Sequence, residues 1–231
     1  MVEKDVVYYS DHRTIQGKDV QALRFVCPRL CSGVSGCLYA RLTGTGRDEK
    51  SKQLIIDIRG TLALKPGSPS KYDYEYKRNG TRNIFVAVEP LAGKRTMKVT
   101  CTRKKSDFAH FVKELVDDDY PQAQKIKLVL DNLNTHFSSS FYETFSKQEA
   151  DRILDKIEFY YTPKHGSWLN MAEIEINMMD RECLARRIGE AEKLETEIHC
   201  WSRKRNEAKK KIQWSFTRQD ADHKLSKHYV S

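Results

Sequence analysis

The sequence predicts an α/β protein: a mixed β-sheet flanked by helices. Three observations carry that prediction. Residues 83–90 and 94–102 are apolar-rich runs joined by Leu91-Ala92-Gly93, the pattern of an antiparallel pair. Ile126, Leu128 and Leu130 alternate with Val129 between them, as in a strand buried on both faces. From Lys105 onward, helical and strand patterns alternate, the order in which α/β sheets are built.

The elements follow in chain order. Residues 1–26 have only a weak period, and Pro28, Gly33, Gly36, Gly44 and Gly46 punctuate what comes next. Glycine at that density disfavours a central strand or a stable helix, so residues 1–46 are expected to be irregular and 47–231 to form the main domain. QLIIDIRG, from Gln53, reads as a short strand with Asp57 between isoleucines. Residues 65–83 are turn-rich, basic and aromatic. Asn79-Gly80 predicts a hairpin turn with tyrosines alternating along a strand, while the same tyrosines and cations also suit a nucleic-acid backbone. Residues 105–119 predict a helix capped at Ser106, with Phe108, Phe111, Val112 and Leu115 on one face. Residues 138–156 read as polar-capped and helical, and 157–161 as an aromatic strand stopping at Thr162-Pro163. Ser167 can N-cap the helix that follows. Residues 190–211 predict a last long helix with Leu194, Ile198 and Trp201 as its stripe, and Trp214 and Phe216 are expected to pack back. The end of that helix, SRKRNEAKKK, is the densest positive patch: either a solvated face or a phosphate-contacting edge.

Two acids stand out. Asp131 ends the buried strand, where α/β sheets place ligands. Leu169, Glu173 and Ile176 share a helical face, so a carboxylate lies on an apolar stripe and needs a partner, a metal ion being one candidate. The ordinary reading is that Asp131 caps a turn and Glu173 pairs with a lysine. Periodicity alone favours it, because structural ion pairs outnumber active sites.

Composition sets the outer bounds. At 231 residues the chain can bury one good core, with room for an appendage. Its 41 Lys+Arg against 32 Asp+Glu give a net charge of +9, which favours polyanionic partners or, equally, a lysine-rich solvated surface. Cys27, Cys31, Cys37, Cys101, Cys183 and Cys200 form no CxxC pair and read as reduced thiols. Without an apolar stretch long enough to span a bilayer or a signal sequence, the expectation is a soluble, cytoplasmic protein.

The stretch VLDNLNTH followed by YYTPKHGSWLNMAEIE resembles the second and third catalytic blocks of DDE-type transposases, specifically the mariner-like branch with the bacterial insertion-sequence-630 group. Pro163, His165, Leu169, Asn170 and Glu173 carry the most specific part, and the likeness runs from about Arg47 to the C-terminus. The resemblance implies a ribonuclease-H-like fold in which Asp48, Asp131 and Glu173 hold two Mg²⁺ or Mn²⁺ ions and cut and join DNA phosphodiester bonds. His136, Lys164, His165 and Asn170 belong to the same blocks and would support the site or contact DNA, and Arg203, Lys204 and Arg205 of the basic patch are the candidate phosphate contacts. Transposon ends and target DNA would be the partners, in a homodimer associated with the nucleoid. One departure matters. Family members lead into Asp-Glu-Lys with a hydrophobic strand, where this chain has Thr43-Gly44-Thr45-Gly46-Arg47. The chain is also expected to be truncated, lacking the upstream helix-turn-helix reader. The alternative is therefore a non-catalytic remnant that binds DNA or a partner subunit, told apart by whether residues 40–50 form the central strand.

Overall fold

The computed structural model describes residues 51–59, 74–130, 137–161, 170–213, 215 and 220, together with backbone strands at 7–8, 24–25 and 37–43. The strands in chain order are β1 (Val7–Tyr8), β2 (Arg24–Phe25), β3 (Cys37–Thr43), β4 (Lys52–Asp57), β5 (Tyr76–Glu89), β6 (Lys94–Thr100), β7 (Ile126–Leu130) and β8 (Ile157–Tyr161). The helices are α1 (Lys105–Glu114), continued by a π-helical turn at Leu115–Asp119, then α2 (Ser139–Thr144), α3 (Lys147–Asp155), α4 (Ala172–Glu182) and α5 (Ala191–Glu207). The sheet runs β4-β5-β3-β7-β8, with β6 also paired to β5, while β1 and β2 form a small ribbon of their own. Antiparallel pairing joins β3, β5 and β6, and parallel pairing joins β3, β7 and β8. This is a mixed α/β sheet compatible with a ribonuclease-H-like fold.

Strand alternation explains the two cores. Phe85 and Ala87 of β5 point to one face and pack with Leu128 and Leu130 of β7 under α1, α2 and α3. Their neighbours Ile84 and Val86 point to the other face and pack with Met179 of α4 and with Leu194 and Ile198 of α5. With helices on both sides, β7 is apolar throughout its visible core positions, as expected of a strand buried on both faces.

The central strand is the main correction. The expectation was that no strand forms ahead of Arg47. Instead β3 pairs antiparallel with β5, from Tyr39 opposite Val88 to Thr43 opposite Ile84, and parallel with β7, from Cys37 opposite Lys127 to Tyr39 opposite Val129. The strand itself, CLYARLT, contains no glycine. The sheet thus includes residues on both sides of position 46.

Smaller differences have physical causes. Asn79-Gly80 makes no hairpin turn. The register steps from Gln53 opposite Thr81 to Ile55 opposite Arg78, leaving Asn79 and Gly80 as a bulge inside β5. Gly80 supplies the positive φ of 89° that the bulge needs, and Asn79 Nδ2 donates to the Gly189 carbonyl at 2.7 Å. Helix α1 begins after Lys104, not at Ser106, because Asp107 turns back to accept from the Lys104 N–H at 2.8 Å. The helical region after Ser138 is two helices, the second capped by Ser146, whose hydroxyl accepts from Glu149 N–H at 3.3 Å. The last helix ends at Glu207, four residues short of the expected Lys211, where Lys209 turns to a positive φ of 45°. Trp214 and Phe216 lie outside the described residues. Cys101, Cys183 and Cys200 are free thiols, and among the described residues no helix is long and apolar enough to cross a membrane.

Candidate active site

Parallel strands deliver their carboxyl ends to one side of a sheet, where α/β proteins place their ligands. Leu130 is the last residue of β7 and is fully buried, with Val129 and Leu128 behind it. Asp131 follows directly, and Asp48 comes five residues after Thr43, the last residue of β3. The two aspartates themselves, with His136, Lys164 and His165, lie outside the described residues. Asp57 ends β4, where its Oδ1 accepts from Arg187 Nη1 at 2.6 Å. Among the described residues no three His, Cys, Asp or Glu side chains converge on a metal position.

Glu173 is described. It stands half-buried in the first turn of α4, and α4 packs against β3 and β5. The helix begins at Ala172 with Met171 at the N-cap position, and Ser167 lies outside the described residues. Buried Asn170 accepts from the Ala172 N–H through Oδ1 at 3.1 Å and from the Glu173 N–H through its carbonyl at 3.0 Å. Acids in a first turn are favoured by the unpaired N–H groups there. Met179, two turns along, anchors the helix in the core.

Glu175 has a different fate. The two glutamates are about 200° apart around a helix of 3.6 residues per turn, and Glu175 is fully buried. Its Oε1 lies 2.7 Å from Arg95 Nε and accepts from Arg205 Nε at 2.8 Å. Arg95, from β6, is likewise fully buried, and its Nε faces the carboxylate off the line of a hydrogen bond. Burial pulls the Arg95 guanidinium below its ordinary value, and Glu175 opposes that pull. The other arms of Arg95 donate to Asn206 Oδ1 at 3.1 Å and to the Lys210 carbonyl at 2.6 Å. Asn206 also accepts from the Arg95 N–H at 2.8 Å and donates to its carbonyl at 2.9 Å. Arg205 reaches Glu182 at 3.4 Å and lies over the Trp201 ring at 5.0 Å. Arg205, expected to meet DNA, is thus engaged inside the protein. Arg203 and Lys204 are exposed, Arg203 4.0 Å from Glu207.

Two neighbours escaped sequence reasoning. Tyr161 stands opposite Leu130 at the end of β8, its hydroxyl pushed up to about 12 by burial. Lys52 opens β4 four residues after Asp48 and donates to the Leu184 and Arg186 carbonyls at 2.6 and 3.2 Å, tying that strand to the segment after α4. Neither had a sequence signal, because each role depends on strand register.

No curated protein matches the chain. A family model described as DDE superfamily endonuclease matches residues 47–195, well over half of the sequence and inclusive of Asp48, Asp131 and Glu173. With the mixed sheet, the parallel pair that leads to Asp48 and Asp131, and the helix that carries Glu173, this match means that the chain belongs to the DDE superfamily endonucleases.

Proposed function

We propose that the chain is the catalytic core of a mariner-like transposase of the insertion-sequence-630 group, acting in the cytoplasm at the nucleoid. It cuts and joins DNA phosphodiester bonds with two divalent ions, Mg²⁺ or Mn²⁺, held by Asp48, Asp131 and Glu173. One observation carries the reading beyond the family match: neighbouring parallel strands β3 and β7 lead to the two aspartates, and α4, which bears Glu173, packs against β3. Three carboxylates are a hard-oxygen donor set, the kind that suits these ions. Bound there, the ions would activate a water or 3′-hydroxyl and stabilise the leaving oxygen.

The protein's own share is placement. Asp131 follows directly in sequence on a strand whose last three residues are buried, the kind of rigid element on which a site is best built. Asn170 fixes where α4 begins and therefore where Glu173 stands. His136, Lys164 and His165 belong to the same sequence blocks and position DNA, while Arg203, Lys204 and the lysines at 209–211 offer cations to phosphates. Transposon ends and target are the DNA partners, taken by a homodimer. The alternative is a remnant that binds DNA or a partner subunit without cutting; strand β3, which covers 37–43 between β5 and β7, supports the catalytic reading over it.

The test is Mg²⁺- or Mn²⁺-dependent nicking of supercoiled plasmid by the full chain. The expected result is nicking that EDTA stops and that Asp131→Ala and Glu173→Ala each abolish. Nicking that survives both substitutions would overturn the assignment.

A further inference from the structure

A four-charge cluster with a fully buried ion pair at its centre is an unusual way to hold a helix. Arg95, Glu175, Arg205 and Glu182 balance in sign, yet the first two are completely removed from water. Replacing such a cluster by apolar side chains is commonly neutral or stabilising, so stability alone does not account for it. Directional bonds do something that apolar packing cannot: they fix one rotation and one register of the helix.

The consequence falls on Glu173. We infer that Glu175 is a positioning residue: clamped by Arg95 of β6 and Arg205 of α5, it sets the rotation of α4 and thereby the place of the Glu173 carboxylate. The inference rests on reading Glu173 as a metal ligand. Side-chain tips ride about 5–6 Å from a helix axis, so a turn of about 10° moves a carboxylate by roughly 1 Å. Two-metal chemistry tolerates about half of that. The clamp works on the side of α4 away from Glu173, as a lever should, and its far end is itself fixed. Arg95 is held through backbone and side chain by Asn206, and Arg205 is braced by Glu182 and Trp201. Asn170 at 0% exposure fixes the start of the helix, and Glu175 its roll.

The experiment compares three forms of the full chain with wild type: Glu173→Gln, Glu175→Gln, and a combined Arg95→Met, Glu175→Leu, Arg205→Met variant. Each is measured for thermal melting, Mn²⁺ affinity by calorimetry, and the kcat and KM of plasmid nicking. The apolar variant is expected to melt near wild type. Its Mn²⁺ affinity should nevertheless fall about tenfold and its kcat about a hundredfold, the cost of a misplacement near 1 Å, with KM for DNA little changed. A merely structural role predicts the opposite, recovery of metal binding along with stability. Wild-type Mn²⁺ affinity and kcat in either folded cluster variant, while Glu173→Gln loses both, would overturn the positioning role alone. Wild-type behaviour of Glu173→Gln would overturn the metal-ligand reading and this inference with it. Should both cluster variants fail to melt cooperatively, Arg205→Lys, which keeps the charge and loses the fork, decides on the same readouts.

Discussion

Asp117 and Glu149 share two cations. Arg152 forks onto Asp117 with bonds of 2.8 and 2.9 Å and reaches Glu149 at 2.8 Å, while Lys113 donates to both carboxylates. The Arg152 hydrogen bonds, chiefly, hold Asp117 down from 3.8 to about 2 and Glu149 from 4.5 to about 2. Between those values the unfolded chain takes up protons that the folded chain refuses. The stabilisation is therefore complete above the unfolded values and drains away as pH falls toward 2. Both groups meet solvent, so salt screens the effect and its size is modest. Arg152→Met should release both acids, and the urea midpoint should then fall less between about pH 5 and pH 2.5 than it does in wild type. An unchanged pH dependence would mean that the network carries no net stability.

Gly93 sets the β5–β6 connection. It adopts a positive φ of 67°, its N–H donates to the Glu89 carbonyl at 2.9 Å, and an added Cβ would come within 2.6 Å of the Lys209 backbone after α5. Gly93→Ala should cost about 1–3 kcal/mol, from left-handed strain and from pushing the end of α5 off the sheet. Chemical denaturation would register it as a lower midpoint with an unchanged slope. This element was half legible: Leu91-Ala92-Gly93 announced a turn, but not that a helix end lies against it. The same division runs through the chain. Strand β7, strand β8 and the Glu173 helix could be read, because their period persists and their neighbours are local in sequence. Strand β3 could not, since Cys37–Thr43 is mixed in polarity and follows a glycine-rich stretch, and it is a strand because β5 and β7 pair with it on either side. Asn79-Gly80 signalled a positive φ correctly, and only the register of β4 turned that signal from a hairpin into a bulge. Glu173 was legible as a helix-face position, while Asp48 and Asp131 lie outside the described residues. The Arg95–Glu175 clamp was not, because it joins residues far apart in sequence through the fold alone.

At the scale of the molecule, a net charge of +9 with exposed Arg203 and Lys204 predicts duplex binding with little sequence preference. Its logarithmic affinity should fall linearly with the logarithm of salt, one unit of slope being lost for about each phosphate contact removed. Anisotropy titrations of unrelated duplexes at several salt concentrations would measure this, and a flat dependence would refute it. A sharper prediction concerns what the molecule needs in order to fold. The family match spans 47–195, and that boundary excludes β3 entirely and all but the first turn of α5. A fragment cut there opens the sheet between β5 and β7 and exposes two pairing edges. It also removes Ile198 from the second core, and Asn206 and Arg205 from the buried cluster, leaving Arg95 and Glu175 to each other. Breaking a buried ionic cluster costs about 3–5 kcal/mol by itself, against a total stability of about 5–15 kcal/mol for a domain. The fragment 47–195 should therefore be collapsed or aggregated, without a cooperative melt, whereas the full chain melts cooperatively. A dispersed amide spectrum and a cooperative transition from the fragment would show that β3 and α5 are ornaments on a self-sufficient core, and that the central pairing of β3 contributes far less than its place in the sheet requires.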